Sequence, residues 1–500
     1  MSIKLPSDLL RIAAEASEPR LIDVLGIAPG GVDPLGLRQI NFQLMDLVLP
    51  GLNNVARNIR PYSAIAWAWR RAAWCVKQAG LQSVKSTELQ DFVDRIEVIF
   101  TWSQFLRDPE ADLPGREFLA SICRLDQFVF GGKEWMQLRE KRKYSTALSA
   151  PVNYGPAVKT LGWVVASDTY HGVFVGSSGV TAALDAFEKA LGQSVHHAAF
   201  CKLGSVTVTH DEVNTWGRAW NMDVPSPEEK EAMRTCLADA ERSLALQQAT
   251  ACIRESVSYR KGAIDVSQIR KDLCGLPSGF LPSAGLSGVT LSWRTVQMRQ
   301  LFRLALEALL HWTTVVVSDG PKLTARLAEM FMLSAGDALS VQDWLKVDKL
   351  NRGSIPERIE ILEHALGREA NVEELPFKIR EALSVSLSEI FEDIVIQSSD
   401  RLPLSRAKRE ADSFANGLPL DFMQHVLSSW VFGQHVYWSV GRGLGDARAR
   451  GKTILRLKVV PEEGGWTLAP GTNLRNTPRP TPDRLDTAVN LMKQAGLFTE

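Results

Sequence analysis

Between Ser86 and Phe100 the apolar residues Leu89, Phe92, Val93, Ile96, Ile99 and Phe100 return at steps of three and four. Only an α-helix gathers residues at that spacing on one side, so the segment predicts an amphipathic helix capped at Ser86 or Thr87. The same period recurs along most of the chain. Ile40, Leu44, Leu47 and Val48 predict a helix that starts near Leu37 and stops at Pro50 and Gly51. Pro61, favoured in a first turn, opens a helix that Gly80 closes. Ser226, followed by Pro227, Glu228 and Glu229, opens another, with its acids at the positive end of the helix dipole. Further helices are expected at 7–16, 292–317, 321–334, 339–349, 355–366, 373–394 and 422–440, and a last one from Thr481 carries Leu485, Val489 and Met492 on one side before Gly496. A chain patterned in this way packs helix on helix, and 500 residues exceed what one core ordinarily holds.

Two stretches break the pattern. In residues 149–222 a short helix from Tyr154 to Trp163 is followed by an extended run from Gly172 to Val175, a Gly/Ser turn and a helix from Thr181 to Leu191. That order resembles part of a winged-helix unit, and equally any small α+β packing module. Near the C-terminus, residues 454–460 alternate in the manner of a strand, and Glu463 to Trp466 predict its return. The expected fold is therefore mainly α and multidomain, with a small winged-helix-like α+β segment and a C-terminal cap of β-hairpin and helix. Its expected divisions are 1–148 (helical), 149–222 (winged-helix-like), 223–400 (central helical) and 401–500 (α+β), the Gly/Pro/Ser stretch 274–285 being the clearest internal boundary.

Lysine plus arginine and aspartate plus glutamate number 57 each, which excludes a uniformly basic, histone-like binder. The richest apolar run, Leu304 to Val317, is interrupted by Glu307 and His311 and is too short to span a bilayer. The first residues lack an apolar leader segment and the six cysteines contain no CxxC, so a reduced cytoplasm is expected, with no membrane.

Signatures of familiar chemistry are missing. No GxxxxGK[ST], GxSxG, HExxH or HRD motif occurs, and Gly441, Gly443 and Gly445 lack the GxGxxG spacing and read as a flexible turn. His197 and Cys201, four apart, would make half a metal site on a helix, but no second pair stands at a familiar spacing. Neither a metal, nor a cofactor, nor a catalytic residue is expected. Asp91, Asp94 and Glu97 beside Arg95 read as a polar helix face, and the bases of 133–143 as a solvated one.

Charge is segregated instead. Residues 47–87 carry Arg57, Arg60, Arg70, Arg71, Lys77 and Lys85 with no acid, interleaved with Trp67 and Trp74. Arginines among aromatics suit phosphate neutralisation with base stacking, although tryptophans at helical spacing more often build a core with a solvated rim. Residues 442–458 carry Arg442, Arg448, Arg450, Lys452, Arg456 and Lys458 against Asp446 alone. Alternation would place Arg456 and Lys458 on one face and Leu455, Leu457 and Val459 in the core, giving either a phosphate-binding wing or a charge-protected edge strand. Residues 355–400 hold eleven acids against four bases, and fourteen tryptophans are a high count for this length. An acidic face and exposed tryptophans would hold protein partners.

Residues 29–42 (PGGVDPLGLRQINF), 49–54 (LPGLNN), 60–63 (RPYS), 154–156 (YGP), 181–187 and 463–466 (EGGW) resemble an uncharacterised bacterial family. That family is encoded among helicases, nucleases and modification genes in anti-phage and mobile islands, and it has no agreed catalytic residues. The resemblance implies a part in a genome-defence assembly. The expected role is a non-catalytic subunit that binds DNA or other protein subunits. The alternatives are a hydrolase or nuclease with an unfamiliar site, and a purely structural scaffold.

Overall fold

A computed structural model describes residues 26–28, 33–80, 85–110, 120, 122–142, 155–169, 173–275, 279–346, 354–367, 373–388, 402–450 and 454–498. The expected helix at 7–16, the ends of those at 339–349 and 373–394, and Lys452 lie outside the described residues. The protein is mainly helical with a few small sheets, as the periodicity requires. Its chain forms two compact units, neither continuous in sequence. Unit 1 comprises residues 1–44, 274–279 and 291–481; unit 2 comprises 45–273, 280–290 and 482–500. These borders differ from the four consecutive divisions expected, because contacts distant in the chain, not local composition, define a core.

Unit 2 is built on the helices Ile59–Gln78 and Ser86–Arg107, which pack together. The helix His210–Ala219 comes so close to the second of them that a Cβ on Gly217 would meet the Ser103 carbonyl at 2.8 Å. Rings from separate elements fill the centre: Trp67 lies 5.6 Å from Phe187, 5.6 Å from Phe200 and 5.8 Å from Trp220. Two short antiparallel ladders pair Gln127–Phe130 with Val206–Thr209 and Val164–Ala166 with Phe174–Gly176. Phe174 of the second ladder packs edge-on against Trp69. Ser226 opens Pro227–Ala238 with a complete capping box, its hydroxyl accepting from the Glu229 amide at 3.3 Å while Glu229 accepts from the Ser226 amide at 2.6 Å. Ser226→Ala is expected to lower stability by about 1 kcal/mol, read as a shifted urea midpoint.

Unit 1 surrounds the long helix Ser287–Val316, of which residues 291 onward belong here. Leu301, Leu304, Ala305, Ala308 and Leu309 are fully buried, in one cluster with Phe331, Ile379, Leu383, Val426 and Val431. This helix and its flanks, 284–319, are long and apolar enough to cross a membrane, yet the apolar stretch is almost wholly buried in the protein. The expected helix at 422–440 is helical throughout, and expectation and structure part company after residue 440. The helix Pro419–His425 runs into a π-helix, Val426–Gly433, and then into Gln434–Arg450, so the expected glycine turn at 441–445 is helical. The expected strand at 454–460 is broken. Ile454–Arg456 pairs in parallel with Gly26–Ala28, while Val459–Glu462 pairs with Gly465–Leu468. Because the chain changes partners between those strands, strict alternation fails at residues 457 and 458, and both side chains are buried.

The aromatic expectation needs correction as well. Nine of the fourteen tryptophans are essentially fully buried, and only Trp74 among the described ones is more than a third exposed. Tryptophan here builds the cores of both units, because each unit spends its interior on a few large rings from separate elements. Asp94, Arg95 and Glu97, expected on a polar face, are 4%, 0% and 3% exposed, with Arg95 donating to the carbonyls of Lys202 and Gly204 at 2.5 and 2.9 Å.

Candidate functional site

The Ser287–Val316 helix carries Arg299, Arg303, Glu307 and His311 at four-residue steps, all 2% exposed or less. Four-residue steps stack side chains along one stripe, so the most buried helix of unit 1 has a charged seam. Arg303 pairs with Glu307 at 2.7 Å, and Arg38 reaches the same Glu307 oxygen at 3.3 Å. The segment 479–481 is strapped across this seam. Arg303 donates to the Arg479 carbonyl at 2.9 Å, and Gln300 donates to the Thr481 carbonyl at 2.5 Å and accepts from its amide at 3.1 Å. Asn41 also donates to Gln300, at 2.9 Å.

A second wall comes from the strand break. His435 accepts from the Lys458 amide through Nε2 at 2.9 Å and pairs through Nδ1 with the Pro34 carbonyl at 2.8 Å. Since a carbonyl only accepts, Nδ1 carries the proton and the ring is neutral. Gly36 follows Pro34 with φ +71°, and a Cβ there would overlap the Trp438 ring. Only glycine meets both demands, and the close approach sets the path of the chain between Asp33 and Arg38.

Between these walls lies a cavity of about 220 Å³, lined by Arg38, Lys458, Arg475 and Arg479 against the single carboxylate Glu307, with Pro34, Pro478, Asn476 and Thr477 completing it. Glu307 and Lys458 are 1% and 7% exposed, whereas Arg475 and Arg479 are exposed. Burial pushes several neighbours toward their neutral forms. The Lys458 amine is lowered by burial, an effect opposed by Glu307 and reinforced by Arg38. His311 is pushed down to about 4, first by burial and then by the charge of Lys458. His435 is also pushed down to about 4 by burial, against the opposing hydrogen bond to Pro34. Asp33 is raised by burial and by Glu307. Cations that outnumber acids in a partly enclosed space favour an anionic ligand, since low dielectric strengthens each attraction.

The arginines and tryptophans expected to grip nucleic acid are mostly engaged within unit 2. Arg60 is buried: it pairs with Glu229 at 2.9 Å and donates to the Ala219 and Val224 carbonyls at 3.0 and 2.7 Å. Arg70 pairs with Asp185 at 2.6 Å and Glu188 at 3.2 Å. Arg71 donates to the Phe200 carbonyl at 3.2 Å and the Cys201 sulfur at 3.1 Å, and lies 4.1 Å from the Trp74 ring centre. Trp67 is fully buried and donates to Glu188 at 2.7 Å. Arg57 is half-buried and donates to the Asn54 carbonyl at 2.9 Å. A phosphate would have to displace these partners to engage Arg60, Arg70, Arg71 or Trp67, which in this structure act as links within unit 2. The acids that hold Arg60 and Arg70 lie more than a hundred residues further along the chain, where local composition does not register them.

The second basic stretch belongs to unit 1. Arg442 is exposed, 5.9 Å from the Trp438 ring centre, and Arg456 is half-buried with its carbonyl accepting from Ser439 at 2.9 Å. Arg448 and Arg450 end the Gln434–Arg450 helix, and their side chains lie outside the described residues. Lys458 reaches the cavity, but from a buried position and not from a solvent face. Arg38, Glu307, Arg475 and Arg479 were missed. The four-residue ladder 299–303–307–311, cutting through an apolar run, was the available signal. His197 does not share a helix face with Cys201: it caps Ala198–Cys201 with extended backbone, accepts from the Ala199 amide at 3.2 Å and pairs with Glu212 at 3.2 Å. Among the described residues no three His, Cys, Asp or Glu side chains gather as a metal site.

Compared with known protein families, with curated proteins and with solved structures, the chain matches none.

Proposed function

We propose that this chain is a non-catalytic binding subunit of a bacterial anti-phage assembly, and that it holds an anionic ligand, DNA foremost, at the cation-lined cavity of unit 1. What supports this above all is the lining itself, four cationic side chains against one carboxylate. Bases so placed neutralise phosphates and release counterions. The defence setting and the cytoplasmic location rest on the likeness of sequence and on cysteines without a CxxC. Exposed Glu363 on the helix Ile355–Gly367 supports a docking face for a partner subunit. The helix, hairpin and helix of residues 155–190 support a winged-helix likeness, but Phe174 of that hairpin is covered by Trp69 and Lys159, so the grip is assigned to the cavity.

Gel-shift titration of duplex and single-stranded DNA over a salt series tests the proposal. Affinity is expected to fall with salt, and replacing both Arg475 and Arg479 by alanine to flatten the log–log slope by about two. Absent binding, or binding indifferent to salt, removes nucleic acid as the ligand.

A second reading, a phosphohydrolase, is favoured by one observation. Lys458 on the cavity lining is displaced toward its neutral form, as are Asp33, next to the lining residue Pro34, and His311, one helical turn beyond the lining residue Glu307, and such displacement marks acid–base sites. Release of inorganic phosphate from a phosphomonoester above the buffer rate, abolished in Lys458→Met, would replace binding by turnover.

A further inference from the structure

We infer that the group entering the unit 1 cavity is a phosphate monoester bearing one proton, its ionised oxygens held by Arg38, Lys458, Arg475 and Arg479 and its P–OH donated to Oε1 of Glu307. This rests on the cavity being an anion site and goes on to name the anion.

The two oxygens of Glu307 are not alike. Oε2 is taken by Arg303 at 2.7 Å and Arg38 at 3.3 Å. Oε1 is buried and has no hydrogen-bond partner among the described residues. A buried carboxylate oxygen without a donor is unfavourable, and a ligand that supplies one gains by doing so. The other charged groups on the lining are cationic. A complementary ligand is therefore negative overall and carries a hydroxyl hydrogen beside its ionised oxygens. A phosphate monoester, whose second pKa is about 6, fits both requirements near neutral pH. Sulfate keeps no proton there, and a phosphodiester has no P–OH to give.

Depth points the same way. Glu307 and Lys458 are 1% and 7% exposed, while Arg475 and Arg479 are exposed. A group that reaches the inner pair must project from the end of its molecule, which a phosphate in mid-strand cannot do. At about 220 Å³ the space is also smaller than the roughly 300–1,000 Å³ of sites that enclose a whole drug-sized ligand, so it suits a terminal group.

Equilibrium dialysis of the intact chain against inorganic phosphate, sulfate, dimethyl phosphate and glycolate is the test. Phosphate is expected to bind at least tenfold more tightly than each of the others, and Lys458→Met to weaken it at least tenfold. Glu307→Gln is expected to erase the preference over sulfate. Should that variant fail to fold, the comparison of ligands on the unaltered chain still decides. Equal affinity for phosphate and sulfate overturns the role of Glu307 while leaving an anion site in place. Tighter binding of glycolate overturns the choice of phosphate. If none of the four binds, the anion site itself is rejected. Competition by a 5′-phosphorylated oligonucleotide but not its 5′-hydroxyl counterpart assigns the monoester to a nucleic-acid end; competition by inorganic phosphate and not by the oligonucleotide assigns it to a small phosphate. Either result supports the inference.

Discussion

Arg60→Ala is expected to destabilise unit 2 by about 3–5 kcal/mol, although the residue looks from its sequence neighbours like a surface base. The side chain of Glu229 is 0% exposed and would be left charged without its cation. The carbonyls of Ala219 and Val224 would lose their donor in the same step. Breaking a buried pair from one side costs more than the pair contributes, because the stranded charge keeps its desolvation penalty. Burial already draws the Arg60 guanidinium pKa down, against the pull of Glu229, which agrees with a desolvated site. Urea unfolding followed at two wavelengths measures the loss. Arg70→Ala is the matched control: its side chain is 27% exposed and its partner Asp185 is 65% exposed, so its cost should stay below about 1 kcal/mol. An unchanged midpoint for Arg60→Ala would mean that the Glu229 bridge is not formed in solution, and would return Arg60 to the pool of available bases.

Acid should weaken unit 1 well before its carboxylates are protonated. Burial pushes both His435 and His311 down to about 4, from the ordinary value near 6.5. In the unfolded chain each takes up a proton near pH 6.5, while the folded chain excludes it down to about pH 4. The unfolded state thus binds more protons across that window, and stability falls as pH drops through it. A displacement of this size corresponds to about 3 kcal/mol for each histidine once pH 4 is reached, with nothing lost above about pH 7. For His435 the geometry explains the exclusion. A second ring proton would sit on Nε2, against the Lys458 amide that now donates to it, and the bond would be lost. Denaturant midpoints at pH 7.5, 6.0 and 5.0, with the number of protons taken up on unfolding, check the expectation. A midpoint flat between pH 7.5 and 5.0 would refute it. The same titration bears on the cavity, since the Lys458 backbone is held by His435.

Local pattern carried much of the fold. The helix Pro227–Ala238 stands where its stripe and cap place it, because apolar period and capping act within a few residues. Ser86–Arg107 follows its stripe but begins after Lys85 without a side-chain cap, and the last helix begins at Leu485, four residues beyond the expected Thr481. The glycines at 441–445 misled, since a helix already running from Gln434 tolerates them at modest cost. Less of the candidate site was legible. Lys458 stood out by charge, but its burial follows from a change of strand partner that alternation does not encode. Arg475 and Arg479 lie in a proline-rich stretch without periodicity, and they become part of a site only because Arg303 and Gln300 hold residues 479–481 across the charged helix.

What the order of amino acids determined on its own was the set of helices and the seam of ionisable groups inside the most apolar one, for both depend on spacings of three and four. Which charges are available to a ligand was decided only on folding. Arg60 and Arg70 meet Glu229, Asp185 and Glu188 from more than a hundred residues away, and Glu307 meets Arg38 from 269 residues away. Charge is a property of a residue, whereas the availability of that charge depends on its partners and on the water left around it.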